Sequence, residues 1–181
     1  GRQRIEGTYF VAMAQYYLAE IPHRQFAALP LRYPEQQMSR DLDQKSQLFL
    51  LARDRFIKTV DYKDPQWATA AVYQVGHMYR EFWDAWMAVP IPAELNATEA
   101  KEYVRQMNTE PQLRKLLEKA LLFHERNQTM AESARVETYW SQRSAEEAEA
   151  VRQIMARQGK GDLIEPGISA PAAAVPNPDG A

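Results

Sequence analysis

Three observations predict an all-α fold of antiparallel helix pairs. Apolar residues recur every three or four positions through most of the chain. Residues that cap helices, and prolines that stop them, punctuate those stretches. Between Thr8 and Gln158 stands one glycine, Gly76, in the middle of "AAVYQVGHMYREF". A glycine inside a helix costs about 1 kcal/mol relative to alanine, so Gly76 needs a packing or bending reason.

Thr8 caps "TYFVAMAQYYLAE", and Pro22 is expected to stop this first helix near Glu20. Pro22, Pro30 and Pro34 then leave room for only a short turn around Arg24–Leu29 before an irregular connection. Ser39 is expected to cap the next helix, with Asp41 and Asp43 at its positive end. Leu48, Ala52, Phe56 and Val60 form its buried face up to Tyr62. Asp64 and Pro65 read as N-cap and first position of a third helix reaching about Ala88, where Pro90 and Pro92 end it. Its stripe of Trp67, Ala71, Val75, Met78, Phe82 and Trp86 is flanked by Val72, Gly76, Tyr79 and Trp83, so it must touch neighbours on two sides. "NATE" at 96–99 is a capping box opening a short helix to about Met107, and "TEPQ" at 109–112 is expected to open the next. From Gln112 to Gln158 there is neither glycine nor proline, and the large apolar residues lapse between Ser133 and Glu137, where a break is expected. The helical domain therefore spans 1–158. Residues 159–181, with four prolines and four glycines, read as a tail or linker in which "DLIEPGI" is pinned against something.

The 181 residues suffice for one domain with a core of its own. With 22 basic against 24 acidic residues, the chain lacks the field that non-specific nucleic-acid binding needs. The absence of cysteine excludes disulfides, Cys-zinc sites, iron–sulfur clusters and thiol catalysis. The uncharged stretch "TYFVAMAQYYLA" is well short of the ~20 residues of a membrane span. Because the chain begins with Gly1, it is expected to be a processed or excised piece, with any targeting segment outside it.

Gly76 with Tyr79, and Ala52 with Phe56, resemble the helix-A and helix-B signatures of tetratricopeptide-type repeats over residues 45–88. The resemblance implies a right-handed solenoid fragment in which these four residues pack the helices, with an extended C-terminal tail. It also implies that Gly76 admits a neighbouring helix backbone, the one bearing Ala52 and Phe56; the rival reading is a helix kink. More narrowly, the order "YYLAE", "LARDRFIKTV", "WATAAVYQVGHMYREF", "VPIP", "TYW" is similar to the helical region of large envelope-associated tetratricopeptide proteins of gliding bacteria. That similarity implies a protein-interaction scaffold in a periplasmic or envelope motility assembly, with protein partners and no catalytic residues or cofactor.

The residues themselves offer little chemistry. "EIPH" has the Glu-x-x-His letters of a bundle metal site, but Pro22 lies inside it and no second copy exists. His77 and Glu81, at i and i+4, read as a surface contact. Glu146 and Glu147 read as a solvated helix face. There is no nucleophile elbow or phosphate loop, and the three histidines fall in three separate segments. No enzyme, metal or cofactor is expected. If the helix-A analogy holds, Tyr73, His77, Arg80 and Glu81 form a polar strip that grips a peptide or partner helix. The alternatives are an ordinary solvent face there, a structural spacer of a longer solenoid, or a helical-bundle enzyme or carrier with an internal cavity.

Overall fold

In the computed structural model, residues 2–167 are described, with side chains from Gly7 onward. The sequence-predicted tail beyond Gly167 lies outside the described residues. Six helices account for the secondary structure among them: α1 (Arg2–Ala28), α2 (Glu35–Val60), α3 (Pro65–Met87), α4 (Ala97–Thr109), α5 (Pro111–Ala134) and α6 (Tyr139–Gly159). α1 and α2 form one hairpin and α5 and α6 another, and α3 packs on both.

The central place of α3 follows from its composition. It is apolar nearly all round, and an apolar helix lowers its free energy only when covered on every side. Trp67, Ala70, Ala71, Val75, Met78 and Phe82 join Tyr16, Phe26, Phe49 and Phe56 in the main core. Trp83 and Met87 join Leu113, Leu117, Ala120 and Val151 in a second cluster toward the C-terminal end of α3. Asp64 caps α3 as expected, its carboxylate accepting from the Trp67 N–H at 3.0 Å with Pro65 at the first position.

Several expected boundaries shift. α1 does not stop at Pro22 but runs through it to Ala28. A proline inside a helix frees the carbonyl four residues earlier. Here that carbonyl, Leu18 O, accepts from Arg55 Nη1 of α2 at 3.0 Å, so the neighbouring helix satisfies what Pro22 leaves open. The end of α1 is closed in the same way: Lys45 Nζ, buried on α2, donates to Phe26 O at 2.6 Å and to Leu29 O at 2.8 Å, and lies over the Phe26 ring. α2 starts at Glu35, so Ser39 lies within it and is not its cap. Asp41, buried within α2, receives Arg32 at 2.8 and 3.0 Å, which ties down the connection after α1. Asn96 and Glu99 make the expected capping box of α4. Thr109, expected to open α5, belongs instead to the last turn of α4; the cap is Glu110, followed by Pro111. The break near Ser133–Glu137 is present: Arg135 turns left-handed at φ 53°, and Thr138 caps α6.

α3 runs unbroken through Gly76, and the space beside the glycine is not filled by the backbone of α2. A Cβ built there would lie 2.9 Å from the imidazole of His124 on α5. The glycine therefore makes room for a buried side chain from the opposite hairpin. Ala52 and Phe56 lie in the α1–α2–α3 core, while Tyr79 bridges the two hairpins, edge-on to Phe49 at 4.8 Å and stacked on Phe123 at 5.7 Å.

Beyond α6, residues 160–167 return along the molecule. Asn108 grips the Ile164 backbone at both ends, its Nδ2 donating to the carbonyl at 2.8 Å and its Oδ1 accepting from the N–H at 2.9 Å. The Gly167 N–H donates to Met87 O at 2.6 Å. With φ at 84° and Pro90 Cα only 3.2 Å from where a Cβ would stand, this position is suited to glycine.

Candidate functional site

α3 places Tyr73, His77, Arg80 and Glu81 on successive turns, but not along an open groove. Tyr73 is only 1% exposed, its ring stacked on His77 at 5.7 Å and tilted against His124 and Trp140. Arg80 folds back to Asp84 at 2.9 Å and lies over the Trp83 ring. Glu81 turns inward, receiving His23 Nε2 of α1 at 2.7 Å and standing 3.6 Å from His77 Nε2. The expected partner-gripping strip is thus no open groove: Tyr73 and His77 are buried under neighbouring helices, and Arg80 and Glu81 are only partly exposed. The His77–Glu81 pair, expected at the surface, is an interior contact.

Three histidines from three segments converge here. His23 and His77 ring centroids are 6.4 Å apart, and Tyr73 connects His77 to His124. The proline that argued against "EIPH" does not separate Glu20 from His23, since α1 is continuous and both are buried. Glu20 pairs with Arg24 at 2.8 Å, leaving His23 for Glu81. Among the described residues, no set of three or more His, Asp or Glu side chains is placed to hold a metal ion.

Burial sets the electrostatics. It would raise the Glu81 carboxyl, but the hydrogen bond and charge of His23, with His77 and Lys45 behind it, hold it below its ordinary value. Lys45 is lowered to about 8 by burial, against the pull of Glu81. Burial pushes Tyr73 up to about 12, and it lowers His124 to about 3, with His77 and Arg143 adding repulsion. His124 is therefore a neutral ring, its Nδ1 3.2 Å from Ser144 Oγ of α6. Beside it, Asn127 Nδ2 donates to Ser144 Oγ at 2.8 Å and to Thr69 O at 3.0 Å, and Thr69 and Thr138 hydroxyls meet at 2.8 Å. These buried polar groups join α1 to α3, and α3 to α5 and α6, by hydrogen bonds that fit one helix register only.

The outward surfaces differ sharply between the two hairpins. On α1, Phe10, Val11, Leu18 and Ile21 fall within one stripe facing away from the core; on α2, Leu50, Leu51 and Ile57 do the same. These seven are between 44% and 59% exposed. The two helices are tied together where Leu18 O and Gln15 Nε2 of α1 bond to Arg55, one turn from Leu51. On the opposite hairpin the exposed positions are mostly polar or charged, among them Arg114, Lys115, Glu118 and Lys119 on α5, and Glu146, Glu149 and Arg152 on α6. Some pair across that surface, as Arg152 does with Glu125 at 2.8 Å. A half-open apolar cavity of about 220 Å³ lies where the C-terminal end of α2, the start of α3 and the end of α5 meet, between Val60, Ala68, Met130 and Val136.

The α1–α2 face is the feature that the expected site residues do not include. Its signal is in the sequence: the inward stripe Leu48, Ala52, Phe56 and Val60 leaves Leu50, Leu51 and Ile57 unassigned, as the core side of α1 leaves Phe10, Leu18 and Ile21. Comparisons with protein-family models, with curated proteins and with solved structures find no match to this chain.

Proposed function

We propose that this chain is a non-catalytic protein–protein interaction module, a tetratricopeptide-like solenoid fragment that docks through the outer face of its α1–α2 hairpin. The observation that carries the reading is the asymmetry of the two hairpins: seven large apolar side chains point outward from one, while the other presents charge. A contiguous exposed apolar patch of several hundred Å² marks an interaction surface. In stacked helical repeats an apolar outer face is where the next element packs, and a polar outer face closes the stack. Protein partners are thus proposed at α1–α2, in place of the strip around Tyr73.

A role in a bacterial envelope or gliding-motility assembly, with a periplasmic or envelope location, rests on the sequence resemblance alone. Fractionation of cells carrying the tagged full-length protein tests that part, and recovery in the cytosolic fraction would overturn it. The interaction reading is tested by capture of partners on the immobilised chain and on Leu18→Glu and Leu51→Glu variants with unchanged circular dichroism. Loss of a discrete bound species in both variants is expected, and capture that neither variant weakens sinks the reading.

A further inference from the structure

We infer that the α1–α2 face is occupied by a second copy of this chain, giving a two-fold dimer. The inference rests on the interaction reading above and names its partner.

Area comes first. Side chains of this size, exposed by roughly half, present together on the order of 600 Å² of apolar surface, at the top of what a monomer usually leaves open. A stable dimer buries roughly 800 Å² per partner, of which about 60% is apolar. The face therefore holds the apolar area that one protomer of such a dimer needs.

Charge comes second. Among the described residues, the exposed charges on and beside the face include Asp43, Asp54 and Asp61 against Arg24, Arg40 and Lys58, three of each sign. A strongly acidic or basic partner finds no complementary field on such a rim. A two-fold copy meets no net like-charge repulsion, because the same patch contributes both signs on each side. Asp54 stands one turn from Lys58 on α2, so a two-fold axis near Ile57 can bring the acid of one copy beside the base of the other. Shape agrees: two antiparallel helices offer ridges and grooves that a copy of the same hairpin can match.

The test is sedimentation equilibrium of the 181-residue chain from 1 to 200 µM, alongside Leu18→Glu, Leu51→Glu and, on the opposite hairpin, Lys119→Glu. A dimer is expected in the parent and in Lys119→Glu, with association weakened at least tenfold in both face variants while thermal unfolding stays cooperative. A parent that is monomeric across the range overturns self-association, as does a dimer that both face variants leave intact. The two readings fail separately. A monomeric parent that loses a captured partner on Leu18→Glu overturns the second copy and keeps the docking face. A face whose variants alter neither association nor capture overturns both.

Discussion

Gly76 shows how much one absent methyl can decide. Its place in α3 costs helix propensity, yet the imidazole of His124 fills the space where a Cβ would stand. Gly76→Ala gains about 1 kcal/mol of propensity but presses a methyl against a buried ring, and such overpacking costs roughly 1–3 kcal/mol. A net loss on the order of 1 kcal/mol is expected, read as a fall of a few degrees in Tm. In a His124→Ala background the same substitution should no longer destabilise, and an identical penalty in both backgrounds would show that the ring is not the obstacle. His124 also sets a pH dependence. Its folded value of about 3 lies below the ordinary 6.5, so between these limits the unfolded chain binds a proton that the native state does not. Stability from this group is therefore full above pH 6.5 and falls with acidification toward pH 3, by at most about 1.4 kcal/mol per pH unit. Chemical denaturation at pH 7 and pH 5 should show a smaller acid loss in His124→Gln than in the parent; equal slopes would refute the assignment.

At the scale of elements, several boundaries were legible from local signals. Asp64–Pro65, the Asn96–Glu99 box and the lapse near Ser133–Glu137 each satisfy or break helix hydrogen bonds within a few residues, and the structure has them. Pro22 misleads because the group that offsets it, Arg55, is 33 positions further along the chain and arrives only on folding. Thr109 misleads because Glu110 and Pro111 make an equally local and competing cap. The return segment 160–167 depends on one side chain in the same way. Asn108 holds both backbone groups of Ile164, so Asn108→Ala should free this segment while leaving the six helices in place. Hydrogen exchange at the amides of Ile164 and Gly167 reads the effect, with protection expected to fall at least tenfold. Retained protection would mean that Ile164 packing alone suffices.

For the molecule as a whole, the decisive fact is that α3 is covered on both sides. A helix packed on two hairpins turns most of its polar residues inward, which is why His77 and Glu81 meet His23 rather than a ligand and why Tyr73 lies in the core. Sequence spacing shows which residues share a helix face, but not whether that face meets water. The apolar surplus on α1 and α2 has the opposite history: the excess was visible in the letters, and only the fold showed that it points outward. If that face is a dimer contact, Tm should rise with protein concentration, as mass action requires when association favours the native state. A Tm constant from 1 to 200 µM would argue against it.

The sequence by itself determined the helical class, the wide apolar face of α3 and the caps of α3 and α4, because periodicity and capping arise from hydrogen bonds and side-chain spacing within a turn or two. The tertiary structure decided which side of each helix is closed, what fills the space beside Gly76, and where an apolar surface is left without a neighbour. Those outcomes depend on side chains tens of residues apart occupying the same space, and a one-dimensional pattern does not carry that information.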